Sequence, residues 1–149
     1  FDVFHYSLLE ALQQSKDKQL SAIAEKSIKE VTYHKKWSGE WVLRLGDGTD
    51  MSHNKMQEAI NDLWNFTGEM FLMDTVDEMM VKEKKGVDVS KIQASWLSSI
   101  KAHISEATLS LPETAWVQKG GKQGIHSEHL GFILTDLQYM QRTYPGQTW

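Results

Sequence analysis

Apolar residues recur every three or four positions along most of this chain, and this spacing constrains the fold more than any other feature. The longest run extends from about Gln19 to Leu45, which at 1.5 Å per residue corresponds to a helix about 40 Å long. Its stripe contains Leu20, Ile23, Ala24, Ser27, Val31, His34, Ser38, Trp41 and Leu45. The β-branched alternation typical of strands is missing along most of the chain, and only two prolines occur. The pattern predicts an all-α protein built from bundle-length helices.

Four further helical segments are predicted, together with a short irregular helix within 72–89 that ends in a turn at Gly86. The four segments run from Phe1 to about Gln14, Ser52 to Phe71, Ser90 to Leu109 and Ser127 to Tyr144. Residues 110–124 are predicted to form an extended connection. We expect one helical domain over residues 1–149, because 149 residues are too few for two ordinary domains.

Local signals predict how these helices begin and end. A left-handed glycine at Gly46 or Gly48 is expected to end the long helix. Polar side chains are expected to cap the helices that follow, because they satisfy backbone N–H groups that have no partner within the helix. The candidate caps are Thr49, Asp50 or Ser52, then Ser90, then Ser127.

Charge and cysteine content exclude several classes of protein. The formal net charge of -4 argues against a general nucleic-acid binder, whose surface would normally be basic. The absence of cysteine excludes disulfides, thiolate metal sites and cysteine nucleophiles, and fits a reducing compartment. No apolar run approaches the length of a membrane span. We therefore expect a soluble, cytoplasmic chain.

The first residues, FDVFHYSLLEAL, already carry a helical apolar pattern with no turn and no obvious capping residue before them. We interpret the chain as the C-terminal part of a longer bundle that lacks the first helices.

Two carboxylate–histidine pairs are candidate metal ligands. Glu30 and His34 are four residues apart and can meet on one helix surface, and Asp2 and His5 form a similar pair in the first segment. Together they could supply half of a metal cage. The alternative is an internal polar network with Lys26 or Lys29 as counter-ions. We favour the network, because a di-iron bundle needs a further carboxylate and a second Glu-x-x-His pair that the later segments do not provide.

Two other groups carry weaker signals. His126 and His129 could share a metal, although a helix start at Ser127 with a first-turn acid at Glu128 is the simpler interpretation. KGGKQG, which contains Lys119 and Lys122, resembles a phosphate cradle but lacks the full spacing of one. An acyl-CoA-binding loop and a plain basic loop both remain open.

Six tryptophans are many for a chain of this size. Trp64 and Trp96 fit the apolar stripes of helices, and we expect them in the core. Aromatic residues outside a core often anchor subunit interfaces, although local packing is an equally good explanation for any one of them. The interface candidates are Trp37, Trp41, Trp116 and Trp149.

Three strings carry a resemblance to a known family: EKSIKEVTYHKKWSGEWVLRLGDGTD, KMQEAINDLWNFTGEMF and GGKQGIHSEHLGFILTDLQYMQRTYPGQTW. In combination they resemble the C-terminal part of the ferritin-like, non-catalytic subunits of the bacterial ring-1,2-phenylacetyl-CoA epoxidase, a multicomponent monooxygenase of aerobic phenylacetate degradation. The resemblance covers essentially the whole chain.

The resemblance implies a ferritin-like bundle that is not an enzyme by itself and binds no cofactor or metal. It implies that a homologous catalytic subunit holds the di-iron centre, that a small bridging subunit joins the complex, and that a reductase with FAD and an iron-sulfur cluster supplies electrons from NADPH. The four-residue spacing of Glu30 and His34 would then be the family's own pattern for the non-catalytic subunit. The rival hypotheses are a di-iron subunit with its own site and an acyl-CoA-binding module.

Overall fold

The computed structural model describes residues 1–113 and 116–148, and this described part contains six α-helices and no β-strand. The helices are α1 (Asp2–Leu12), α2 (Lys18–Gly46), α3 (Asp50–Leu63), α4 (Thr75–Lys82), α5 (Gln93–Glu106) and α6 (His129–Thr143). The prediction of an all-α chain is confirmed. The chain divides into two compact units, Phe1–Gln118 and Lys119–Trp149. The single domain expected over residues 1–149 stays a prediction.

Helices α1 and α2 are joined by a short turn and pack against each other as a helical hairpin. The carboxylate of Asp17 caps α2 by accepting hydrogen bonds from the backbone N–H groups of Gln19 at 2.9 Å and Leu20 at 3.1 Å. Leu9 of α1 is buried against Ala24 and Val31 of α2. The buried face of this part of α2 is therefore narrow, because these two residues are seven positions apart and lie on one line of the helix.

The end of α2 differs from the prediction. Neither Gly46 nor Gly48 has a positive φ, so no left-handed glycine ends the helix. Gly46 is instead the last helical residue, and its carbonyl oxygen lies 2.7 Å from Nδ1 of His53 and accepts a 3.3 Å hydrogen bond from the hydroxyl of Thr108. These side chains satisfy one of the carbonyls that have no partner within the helix. The predicted cap of α3 is confirmed, because Thr49 forms a reciprocal capping box with Ser52.

Helix α3 ends at Leu63, so the predicted continuation to Phe71 is wrong. Two short 3₁₀ turns, Trp64–Phe66 and Gly68–Phe71, replace the last two turns of α-helix. The bend allows Trp64 and Phe71 to contact the same side chain, Trp96. The centroid of the Trp96 ring lies 5.7 Å from that of Trp64 and 5.0 Å from that of Phe71. In a straight helix, residues 64 and 71 would be about 10 Å apart along the axis and could not converge in this way.

The start of α5 also differs from the prediction. A 3₁₀ turn, Val89–Ile92, precedes the helix, and Ser90 lies within that turn instead of capping α5. The hydroxyl of Ser90 donates a 2.6 Å hydrogen bond to the carboxylate of Asp88. The turn expected near Gly86 is present, but its left-handed residue is Lys84, with φ of 58°.

Buried apolar residues of the first unit fall into three clusters. The first contains Phe4, Phe71, Val89, Ile92 and Trp96; the second contains Leu9, Ala24 and Val31; the third contains Ile104, Ala107 and Leu109. Trp96 is 5% exposed, so its predicted place in the core is confirmed, whereas Trp64 is only partly buried and packs against the first cluster.

The side chain of Gln57 connects α3 to the segment after α5 through two hydrogen bonds with the backbone of Ser110. The amide of Gln57 donates to the carbonyl of Ser110 at 2.8 Å and accepts from the N–H of Ser110 at 2.9 Å. A primary amide can make this paired contact because it carries a donor and an acceptor side by side.

We expect Gln57→Glu to weaken this attachment by about 1 kcal/mol, because a carboxylate has no N–H to donate to the carbonyl of Ser110. Hydrogen exchange at the Ser110 amide should become faster in the variant at neutral pH. Asn61→Asp is the matched control, since Asn61 is also on α3 and its side chain bonds to Gln57 of the same helix. Equal exchange rates at Ser110 in the wild type and in Gln57→Glu would contradict the assignment.

The second unit contains a glycine-bounded turn and α6. Gly120 (φ 103°) and Gly124 (φ 79°) are both left-handed, and they flank a 3₁₀ turn at Gly121–Gln123. Helix α6 begins at His129 with Glu128 before it and no side-chain cap, so the prediction that Ser127 caps this helix is wrong. Several large apolar side chains of α6 are exposed, namely Phe132, Ile133, Leu134, Leu137, Tyr139 and Met140. Among the described residues, no helix is both long enough and apolar enough to cross a membrane.

Candidate metal ligands and interface surface

Glu30 and His34 lie on the surface of α2. Oε1 of Glu30 is 3.8 Å from Nε2 of His34, and the two side chains are 77% and 49% exposed. The sequence pattern predicts His34 on the apolar stripe of this helix, facing the core, and that prediction is wrong. On α2, the residues buried against α1 are Ala24 and Val31. Because this buried face is narrow, His34, three positions after Val31, lies outside it and is exposed to solvent.

Asp2 and His5 are partly buried on α1 but do not complete a cage with the first pair. The His5 ring packs on the ring of Phe1, with centroids 5.2 Å apart. Asp2 lines a cleft among α1, α2 and α5 whose lining does not include Glu30, His34 or His5. Within residues 1–113 and 116–148, no three His, Asp or Glu side chains converge in a way that could hold a metal ion. A di-iron centre requires several carboxylates and two histidines around one point, so the described residues do not fit one.

The cleft beside Asp2 contains a histidine that the sequence reasoning did not select. It has a volume of about 230 Å³ and lies among α1, α2 and α5. Its lining includes the charged or polar residues Asp2, Lys35, Ser38 and His103 and the apolar residues Val3, Val42, Ile100 and Ile104. No local motif marks His103, because its neighbours in the cleft from α1 and α2 are more than sixty positions away in the sequence.

The contacts of His103 and Lys35 define what this cleft can do. Nδ1 of His103 lies 2.9 Å from the carbonyl oxygen of Ser99, and a carbonyl can only accept, so Nδ1 carries the proton. Lys35 lies over the ring of Tyr6, with Nζ 4.3 Å from the centroid. The cleft therefore presents one carboxylate, one imidazole acceptor and one cation between apolar walls, which is too few oxygen and nitrogen ligands for a di-metal site.

The other histidine cluster and the basic loop lie in the second unit. His129 is the first residue of α6, and its ring centroid is 6.5 Å from that of Phe132. Lys122 lies within the glycine-bounded turn described above, and Lys119 is the residue directly before Gly120. Binding of CoA by these two lysines stays a hypothesis.

Three of the four candidate interface tryptophans are exposed. Trp37 is 54% exposed, Trp41 is 42% exposed and Trp116 is 57% exposed, whereas Trp149 lies outside the described residues. Trp37 and Trp41 are one helical turn apart on α2, and their rings meet edge to face with centroids 6.3 Å apart. The guanidinium of Arg44 lies 5.6 Å from the ring of Trp41. Large aromatic side chains in such positions are typical anchors of protein–protein contacts.

The pKa of the Asp88 carboxyl group is lower than the ordinary value of an aspartate. The hydrogen bond from Ser90 lowers the pKa of Asp88, and Lys91, with Nζ 3.1 Å from the carboxylate, acts in the same direction. A carboxylate whose pKa is lower in the folded state stabilises the fold above its unfolded pKa. That contribution is lost as the pH falls through the folded value.

We expect Ser90→Ala to raise the pKa of Asp88 toward its ordinary value, because the variant loses the 2.6 Å hydrogen bond to the carboxylate. A carbon-detected NMR titration of the Asp88 carboxyl group measures this directly. Ser95→Ala is the control, since the hydroxyl of Ser95 bonds to the carbonyl of Ile92. A midpoint that is the same in Ser90→Ala and wild type would refute the assignment.

Comparison with known proteins places this all-helical chain in a family. The model of the phenylacetic acid catabolic protein family matches residues 1–149, and the chain belongs to that family. It is also 47% identical over 148 residues to one of the subunits of the 1,2-phenylacetyl-CoA epoxidase of Escherichia coli (strain K12). The match covers 99% of this chain and 60% of the relative, so the chain spans about three fifths of that protein's length.

Proposed function

We propose that this chain is part of a non-catalytic structural subunit that binds and stabilises the di-iron catalytic subunit of a phenylacetyl-CoA epoxidase in the cytoplasm. The observation that carries the proposal is the arrangement of the carboxylate–histidine pairs. Glu30 and His34 face solvent, whereas Asp2 lies in the cleft among α1, α2 and α5. The relative from E. coli is a subunit of a phenylacetyl-CoA epoxidase by name, which supports membership of such a complex.

The spacing of the exposed pair supports the non-catalytic assignment. In di-iron bundles, a glutamate and a histidine three positions apart project from one helix into the interior and ligate metal together. Glu30 and His34 are four positions apart, and an exposed ion pair of this kind contributes little to stability. These residues have the right chemical types for iron, but both are exposed, and no third His, Asp or Glu side chain within the described part of the chain joins them.

The partner proposal rests on the exposed aromatic residues of α2. A helical subunit homologous to this one would present helices of similar length, and packing of helix on helix is the expected mode of contact. A small bridging subunit and a reductase with FAD, an iron-sulfur cluster and NADPH belong to the same proposal, since an oxygenase needs a source of electrons.

Iron content tests the non-catalytic assignment. The full-length parent of this chain, expressed alone in iron-replete cells, should contain only substoichiometric iron by elemental analysis. The variants Glu30→Ala and His34→Ala should match the wild type and the surface control Glu25→Ala. About two irons per chain, lost in Glu30→Ala or His34→Ala but retained in Glu25→Ala, would overturn the proposal in favour of a di-iron subunit.

Association with the catalytic subunit is tested separately. The parent protein should co-purify with a tagged catalytic subunit in a stable complex, and iron should be found with the catalytic subunit alone. Epoxidation of phenylacetyl-CoA by the complex should be the same with wild type and with His34→Ala, because this residue holds no metal in the proposal. Loss of activity with an intact complex would assign His34 a role in the reaction.

A further inference from the structure

The inner face of α2 is closed by apolar packing at two places. Ala24 and Val31 are buried in the second cluster, and Val42 and Leu43 pack against the third. The cleft among α1, α2 and α5, with a volume of about 230 Å³, lies along the stretch between these two places. Closed ends and an open, partly polar middle form the kind of concave surface that small molecules occupy between helices.

A second cleft adjoins the first one. It has a volume of about 340 Å³, and Lys35, Gly39 and His103 line both clefts. The imidazole of His103 lies against the backbone of α2 at Gly39, where a Cβ would be 3.4 Å from Cδ2 of the ring. A cation and an imidazole therefore line the junction of the two clefts.

Other contacts hold these two polar groups in place. Nζ of Lys35 lies 4.3 Å from the centroid of the Tyr6 ring, and Nδ1 of His103 donates to the carbonyl of Ser99. Nε2 of His103 is left as an acceptor, and none of the described residues donates a hydrogen bond to it. Groups that are already fixed lose little conformational freedom when a ligand binds.

Asp2 and Lys35 carry opposite charges and line the same cleft, yet no ion pair joins them. Neither residue belongs to any other ion pair in the described part of the chain. An ionised carboxylate and Nε2 of His103 can only accept hydrogen bonds, whereas an ammonium group can only donate them. A ligand with a cationic donor and an anionic acceptor matches all three groups.

We propose that the two clefts bind a small zwitterion, namely an amino acid with an apolar side chain. Its ammonium group pairs with Asp2 and donates to Nε2 of His103, and its carboxylate pairs with Lys35. An anion alone leaves Asp2 unmatched, and an amine alone leaves Lys35 unmatched. This inference is independent of the proposed role in an epoxidase. The ligand's side chain packs on the apolar wall of the first cleft, formed by Val3, Val42, Ile100 and Ile104.

Three probes with the same phenyl body test the charge requirement. Isothermal titration calorimetry on the full-length parent of this chain compares L-phenylalanine with phenylpropionate, which lacks the ammonium group, and with phenethylamine, which lacks the carboxylate. L-phenylalanine should bind with millimolar affinity or better. Each analogue should bind about tenfold more weakly, because each one loses a charge-assisted contact.

Variants that remove one charge assign each contact. Asp2→Asn should weaken the binding of L-phenylalanine about tenfold but not that of phenylpropionate. Lys35→Gln should weaken the binding of L-phenylalanine about tenfold but not that of phenethylamine. Lys29→Gln is the matched control, because Lys29 is an exposed lysine of α2 that lines neither cleft. The circular dichroism spectrum of each variant should match that of the wild type, which separates a lost contact from a lost fold.

NMR shifts of the imidazole nitrogens locate the ligand. L-phenylalanine should shift the Nε2 resonance of His103, because this atom accepts the new hydrogen bond. The ring of His53 is the internal control, since its Nδ1 lies 2.7 Å from the carbonyl oxygen of Gly46 and it lines neither cleft.

Four results would overturn the proposal. They are no binding of L-phenylalanine at millimolar concentration, an analogue that binds as tightly as L-phenylalanine, Asp2→Asn and Lys35→Gln variants that bind it as Lys29→Gln does, and a shift of His53 as large as that of His103.

Discussion

Gly46→Ala is expected to destabilise the protein by about 2 kcal/mol or more, which is unusual for a glycine inside a helix. In the interior of a helix, alanine is normally about 1 kcal/mol more stabilising than glycine, and at the last helical residue no large loss is expected from the exchange itself. Here a Cβ would lie 2.5 Å from the carbonyl oxygen of Ala107, 2.9 Å from its Cβ and 2.8 Å from Cδ1 of Leu109. A backbone carbonyl cannot move aside as a flexible side chain can, so α2 and the end of α5 must separate.

Urea denaturation of Gly46→Ala measures this effect as a lower midpoint. Gly39→Ala provides the matched control in the same helix. A Cβ at position 39 would lie 3.4 Å from Cδ2 of His103, which is ordinary van der Waals contact. The control should therefore be as stable as the wild type or more stable. If Gly46→Ala and Gly39→Ala were equally stable, the close approach of Ala107 to Gly46 would not be what limits the packing of α2 against the end of α5.

Trp96→Ala should cost about 3 to 5 kcal/mol, the range for removing a large aromatic side chain from a core. Trp96 is 5% exposed and is the common partner of two other rings, being stacked on Trp64 and tilted against Phe71. Removal leaves a cavity and takes away a ring contact from both Trp64 and Phe71. Thermal unfolding followed by circular dichroism should show a much lower midpoint, whereas Trp37→Ala, measured on dilute protein, should change it little.

Trp96→Phe should be far milder than its loss of volume suggests. The indole N–H of Trp96 is buried and has no hydrogen-bond partner in the described part of the chain. An unsatisfied buried donor costs about 1 to 3 kcal/mol, and phenylalanine removes that donor along with some of the packing. A cost as large as that of Trp96→Ala would show that the N–H is satisfied after all.

Most of the helical architecture was predictable, because helices leave a local signal that a single sequence contains. The positions of α1, α2 and α5 and the capping box at Thr49 follow from periodicity and from residue types near in sequence. The end of α3 was not predictable in this way. Leu63 is followed by residues that continue the helical rhythm, and the chain bends there because Trp96, more than twenty positions away, contacts both Trp64 and Phe71.

The same limit explains the errors about the glycines and the candidate ligands. The sequence pattern predicts a left-handed glycine at Gly46 or Gly48, and neither has a positive φ; Gly46 matters instead because Ala107, at the end of another helix, approaches it closely. Residue types also identified Glu30 and His34 as a pair, yet whether a helical face is buried depends on what packs against it. His103 was overlooked for a related reason, since its cleft is assembled from three separate helices.

The division of the first unit into three buried clusters has a consequence for how the molecule loses its structure. Helix α2 contributes to the second cluster through Ala24 and Val31 and packs against the third through Val42 and Leu43, while its middle carries the exposed aromatic residues. Clusters that share a helix but few direct contacts can open separately, each with its own local free energy. Unfolding is therefore expected to proceed in stages, and the tryptophan fluorescence change should not coincide with the loss of helical signal.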